Sequence, residues 1–297
     1  LVFAGNIYTS PTILRLIKGI VMSSNSALIP MSSLSARFID DIFNELKQSL
    51  NLNEVQGGDK GPLHTFHFPH NQQPAGHLRI LDGGNHPHLL KVIQLSLDFG
   101  MVGADANALH IITKPNSLVP HCSVEYIHYD AAIDVPRNPA VQAGVDQYGC
   151  YINLISRVDA ASNQAYLHHV YDPVHEGVVA IKSHAEIHNP VLPLWQAACF
   201  QPWIITAMAP AQHFPLLQNQ GRTTIDHALS MHANGIPDSI VTENERNYCA
   251  ERDRLNRLLL NSPEVDAVWP RIARLVGEND AARLREILSG QTVEKSF

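Results

Sequence analysis

The sequence predicts an α/β protein, an α/β/α sandwich with a central antiparallel sheet flanked by helices. Three observations predict it. An amphipathic helical pattern opens at Ser33, six short segments of strand character follow with turns between them, and from Thr223 to Leu288 nearly all the pattern is helical. Strands joined by short turns pair antiparallel, because parallel neighbours need long crossover connections.

In chain order, Leu34, Phe38, Ile39, Ile42, Phe43, Leu46 and Leu50 recur at helical spacing behind Ser33, a residue suited to capping. The glycine-rich stretch 56–61 is a turn. Strands are predicted over 63–68, 77–81, 89–97, 108–113, 123–129 and 150–157, each bounded by Gly, Pro or Asn. A helix is predicted over 161–171 and a further strand over 200–208. Helices punctuated by Pro237, Pro263 and Gly277 complete the chain, with Trp195, Phe200 and Trp203 assigned to the core. Helices on both sides of such a sheet leave a pocket between the sheet and the late helices.

A chain of 297 residues, 45% hydrophobic, buries one sizeable core, so residues 33–297 are expected to form a single domain. Residues 1–32 are expected to be an N-terminal extension. The first acidic residue is Asp40, and Arg15, Lys18, Arg37 and seven serines precede it, which gives either an organelle transit segment or an extension ahead of a start at Met22. Its apolar stretch is interrupted by Arg15 and Lys18 and is too short to cross a bilayer.

Several function classes fall away. The net charge is −7 and no run of five Lys or Arg occurs, so nucleic acid is not an expected partner. Cys122, Cys150, Cys199 and Cys249 are far apart and form no CxxC, which predicts free thiols in a reducing compartment. His175-Glu176 is not completed to a zinc-protease motif, and there is no GxSxG elbow, phosphate loop or GxGxxG after a strand. Redox chemistry, if present, must then use an external donor. His64, His67 and His70, the pair His86 and His88, and the pair His184 and His188 have spacings that suit a metal but lack carboxylate company, and are assigned to surface or loops.

The strands around 108–115 and 119–130 place His110 on one strand and Glu125 on the next, where the two side chains can meet across the sheet. This arrangement resembles the ferredoxin-dependent bilin reductases and their relative, red chlorophyll catabolite reductase. In phycocyanobilin reductase a histidine sits where His110 falls and an aspartate where Glu125 falls. The chlorophyll-catabolite enzymes have a glutamate in a strand like 120–127, and asparagine where His110 falls. The stretches 150–157, 166–172, 243–254, 269–277 and 282–288 are similar to the following strand and the closing helices of these enzymes. The resemblance runs over about 63–288 as short motifs.

That resemblance implies reduction of an open-chain tetrapyrrole, either a biliverdin-type bilin or a red chlorophyll catabolite. It implies that no cofactor is bound and that electrons come one at a time from reduced ferredoxin. It implies Glu125 as proton donor, assisted by His110. It also implies an acid on a late helix, for which His232 is the best placement and Asp226 the fallback, and a further acid near Ser96, where this chain has none. Burial is expected to raise Glu125 above its ordinary value of about 4.3, keeping a proton available, while histidine titrates near neutrality. Lys114, Arg157 and Arg222 are the candidate cations for the pigment's propionates.

Ferredoxin is acidic, so its docking calls for a basic patch, and Arg246, Arg252, Arg254, Arg257, Arg271 and Arg274 gather late in the chain. The compartment is the cytoplasm, or the chloroplast stroma if the first residues are a transit segment. No membrane insertion is expected, and a homodimer is left open. Two other readings stay beside this one: a tetrapyrrole carrier without catalysis, and a histidine-ligated metalloenzyme.

Overall fold

The computed structural model describes residues 33–100, 103–131, 144–159, 162–266, 268–290 and 292–293. The expected extension over 1–32 therefore lies outside the described residues. Helix α1 (Leu34–Ser49) opens them, its N-terminus capped where the Ala36 N–H donates to the Ser33 hydroxyl. Its apolar stripe, Phe38, Ile39, Ile42, Phe43 and Leu46, is buried.

Eight strands follow: β1 (Asn53–Glu54), β2 (His64–His67), β3 (Pro74–Asp82), β4 (Leu89–Phe99), β5 (Ala104–Thr113), β6 (His121–Tyr129), β7 (Gln147–Ile155) and β8 (Ile205–Pro210). They form one sheet in the order β1-β3-β4-β5-β6-β7-β8, with β2 beside β3, and every pairing is antiparallel. The predicted meander and sandwich class are what the chain adopts.

Between β7 and β8 lie α2 (Gln164–Ser183) and the short α3 (Leu194–Ala197); after β8 come α4 (Phe214–Asn234), α5 (Glu243–Leu260), α6 (Trp269–Val276) and α7 (Glu278–Ser289). Helix α2 runs well past the predicted end at Tyr171 because Val174, Val178 and Ile181 continue its buried stripe, in spite of Pro173 within it. Residues 200–204, expected as strand, lead into β8 from α3 instead.

Side chains alternate between the faces of a strand, so each central strand serves two cores. Leu109, Ile111, Cys122, Val124, Cys150, Ile152, Ile205 and Ala207 face α1, α2 and α4. On this side Gly221 of α4 lets the helix lie against β6, where an added Cβ would collide with the Tyr126 hydroxyl; that hydroxyl donates to the Leu217 carbonyl at 2.9 Å.

Leu78, Ile80, Ile93, Leu95, Leu97 and Ala108 face the other way, against Trp269, Ile272, Val276, Leu284 and Ile287 of α6 and α7. Each such side chain contributes ~1.5–3 kcal/mol when buried, so these two helices are firmly docked on the β2–β4 half of the sheet. The buried Lys91 fastens the end of α7, its Nζ donating to the Ile287 and Thr292 carbonyls at 2.7 and 2.8 Å. Over β5–β7 the same face is polar, and there the cleft opens.

Candidate active site

The register of the sheet builds the site. Glu125 on β6 lies opposite Ala108 on β5 and Tyr151 on β7. One step along, Ser123 lies opposite His110 and Asn153. Period-2 alternation sends all of these toward α6 and α7. His110 Nδ1 and Ser123 Oγ are 2.9 Å apart, and His110 Nε2 stands 4.0 Å from Glu125 Oε1. The Asn153 amide donates to the Tyr151 hydroxyl at 2.9 Å. Leu95, Phe200, Val268, Trp269, Ile272 and Leu288 close the cleft with apolar surface, Arg257 reaches it from α5, and Asn261 and Asp266 enter from the segment between α5 and α6.

The electrostatics separate the two carboxyls. Burial is the largest influence on Glu125 and favours its protonated form, while the His110 ring 4.0 Å away favours the carboxylate. Asp266 is raised: desolvation is the main cause, the charge of Glu125 adds to the rise, and the Val268 N–H, which donates to Oδ1 at 3.0 Å, opposes them only in part. His110 is lowered, because burial disfavours its cation more than Glu125 favours it. Two carboxyls and an imidazole that burial holds toward its neutral form thus share one cleft, an arrangement able to hold and move a proton.

No family model matches the chain, and no curated protein matches it. Among solved structures, the crystal structure of phytochromobilin synthase from tomato in complex with biliverdin superposes with a TM-score of 0.61 at 12% sequence identity, covering 88% of this chain and 85% of that one. The two chains share a fold.

Of the residues predicted from sequence, Glu125 and His110 do come together. The acid that the late part of the chain brings to this cleft is Asp266, which the sequence reading did not single out. Its mark was an aspartate between Val265 and the start of a helix at Trp269, in a segment otherwise read only as a break after Pro263. His232 and Asp226 both sit on α4, in the helical layer across the sheet from Glu125. His232 is buried, 6.0 Å ring to ring from His86, and burial with the neighbouring histidines lowers it to about 3. Asp226 accepts from Arg222 at 2.9 Å on the surface. Ser96 also faces away: it is the neighbouring Leu95 that lines the cleft.

The predicted cations fare likewise. Arg222 is held by Glu45 at 2.6 Å as well as by Asp226. Lys114 lies in the β5–β6 turn, donates to the Gly84 carbonyl at 3.2 Å and lines a separate surface hollow. Arg157 is buried, 2.9 Å from Asp253 Oδ1, and donates to the Pro115 carbonyl at 2.6 Å. Arg257, expected in a surface patch, is also buried, 2.9 Å from Asp253 Oδ2.

Of the aromatics assigned to the core, Trp195 is 55% exposed, Trp203 stacks on Tyr171, and Phe200 turns into the cleft. Among the described residues no three His, Cys, Asp or Glu side chains gather as metal ligands. His88 bonds Ser117 at 2.9 Å, His64 meets Asp280 at 3.2 Å, and His184 packs on the ring of His213. No helix among the described residues is long and apolar enough to cross a membrane.

Proposed function

We propose that this chain reduces an open-chain tetrapyrrole in the cleft between β5–β7 and the α5–α7 segment, taking electrons from reduced ferredoxin and protons from side chains. One observation carries the reading. On a fold shared with a biliverdin-bound protein, Glu125, His110 and Asp266 converge on the apolar cleft beside the sheet.

A conjugated pigment that accepts electrons singly must receive a proton with each reduction, or negative charge builds on it in a site of low dielectric. Asp266, inclined to stay protonated, supplies that proton. Glu125 and His110 pass its replacement or hold the pyrrole nitrogens by hydrogen bonds. No bound cofactor enters this scheme.

As the helices stand, the cleft encloses about 80 Å³, well short of ligand pockets of ~300–1,000 Å³. Seating the pigment therefore requires the wall formed by Phe200, Asp266 and Trp269 to move outward from the sheet. For the donor, Arg252, Arg254 and Arg274 remain exposed late in the chain and offer an acidic protein a docking surface, although Arg254 also pairs with Glu251 at 2.7 Å.

The test is anaerobic. Protein is mixed with biliverdin or red chlorophyll catabolite, reduced ferredoxin is added, and the absorbance spectrum is followed. Loss of the pigment's long-wavelength band with one of them identifies the substrate. A spectrum altered on mixing but unchanged by ferredoxin points to a carrier, and no change in either step removes the proposal. Metal analysis of the same sample addresses the metalloenzyme reading, since stoichiometric zinc or iron would favour it.

A further inference from the structure

Two histidines on the cleft face of the sheet are held in opposite ways. His121 Nδ1 accepts from the Thr113 backbone N–H at 3.0 Å, so that nitrogen cannot carry a proton. Its Nε2 must then be the donor to Asp253 at 2.9 Å, and the ring is locked in one tautomer. The Arg157 nitrogen 3.2 Å from the same Nε2 is a second donor converging on Asp253, not a partner of the ring. His110 instead meets a hydroxyl, Ser123 Oγ, at 2.9 Å. A hydroxyl donates or accepts by rotating about one bond. A backbone group could do only one of these.

We infer that Ser123 is the positioning residue of the cleft, a hydroxyl that keeps hold of His110 Nδ1 in both tautomers, so that the ring can present either Nε2–H or a bare Nε2 toward Glu125. The role rests on the proposed reductase function. When Glu125 is a carboxylate, Ser123 donates to Nδ1 and the ring offers Nε2–H to the acid 4.0 Å away. When Glu125 is protonated, Nδ1–H donates to Ser123 and the Nε2 lone pair faces the acid. The ring plane is unchanged between the two, which keeps the catalytic distances fixed while the proton count of the cleft changes.

The position of Ser123 suits this task. It is directly opposite His110 in the register, it is 6% exposed, and its other cross-strand neighbour is Asn153. Other groups facing His110 are Glu125 from β6, Tyr151 from β7, Asp266 ahead of α6, and at the far end His121 and Arg257. Among them Glu125 and Asp266 are the carboxyls that can exchange a proton with the ring, while burial pushes His121 down to about 3.

The experiment uses full-length protein labelled with nitrogen-15 in histidine, comparing wild type, Ser123→Ala and Ser123→Thr. The His110 resonances, assigned by their loss in His110→Gln, report tautomer and protonation midpoint without any substrate. In Ser123→Ala the midpoint is expected about one pH unit lower, because the imidazolium loses a charge-assisted acceptor, and the tautomer ratio changes. With biliverdin and reduced ferredoxin, kcat is expected about tenfold lower with KM within about twofold, a loss in the range of a single proton-handling group. Threonine, which keeps the hydroxyl, restores both. Wild-type nitrogen shifts and midpoint in the alanine variant, or failure of threonine to restore them, overturn the assignment. If no variant and no wild-type sample reduces a pigment, the functional reading fails while the nitrogen shifts still decide the role of Ser123.

Discussion

Two groups of ionisable side chains lie on one face of this sheet, a few residues apart along β6, and they are built on opposite plans. At the start of β6, Asp253 is surrounded by donors: His121 and Arg157 at 2.9 Å on one oxygen and Arg257 at 2.9 Å on the other. These partners hold its carboxyl far below the usual range despite burial. Further along, Glu125 stands 4.0 Å from His110, and Asp266 is raised. The first group is locked by these contacts. The second sets a lowered imidazole, His110, and a raised carboxyl, Asp266, in one cleft, a pairing suited to proton transfer. Burial alone does not distinguish the two groups; the arginine and histidine donors that converge on Asp253 do.

The comparison is tested hardest by removing one acid from each group. Glu125→Gln and Asp266→Asn are expected to lower pigment turnover ~10²–10⁴-fold while leaving pigment binding and the folded state in place, measured by anaerobic turnover and thermal melting. Asp253→Asn is expected to cost ~3–5 kcal/mol of stability in denaturant unfolding, because it strands two buried arginines. If Asp266→Asn unfolds the protein and Asp253→Asn does not, the two groups have been assigned the wrong way round.

The pH dependence separates the groups by sign. His121, lowered to about 3, is neutral in the fold and protonates more readily when unfolded, so its contribution is complete above about pH 6.5 and is lost as pH falls toward 3. Asp253, also lowered, adds to the loss on the acid side. Asp266 is raised, so its contribution is present at low pH and is lost as pH rises through its folded value. Asp266→Asn should accordingly melt higher than wild type at pH 8 and show little difference at pH 4.

The smallest effect is expected at His232. Neither of its ring nitrogens has a hydrogen-bond partner among the described residues, and burial lowers it to about 3. His232→Phe should flatten the acid limb of the stability curve, change stability at pH 7 by less than ~1.5 kcal/mol and leave turnover intact. A large loss of turnover would return His232 to the site.

Much of this was legible in the sequence because it is local. Alternating apolar residues bounded by turns gave the meander, and two strands joined by a short turn necessarily bring His110 near Glu125. What was not legible depended on contacts distant in sequence. Arg157 looked available until Asp253, brought over by α5, occupied it. Asp266 enters the cleft only because Trp269, Ile272 and Leu284 dock on the far half of the sheet and set where the preceding segment passes. His232 fell on the wrong side because a helical pattern gives the buried stripe of α4 but not the sheet face that the stripe covers.

The most direct measurement is the carboxylic-acid C=O stretch in the infrared spectrum at pH 7, read as the difference between wild type and each of Asp266→Asn and Asp253→Asn. A protonated-carboxyl band that vanishes with Asp266→Asn and persists with Asp253→Asn is the expected result. Absence of that band in wild type, or its loss in the Asp253 variant alone, would contradict a cleft that stores its proton on Asp266.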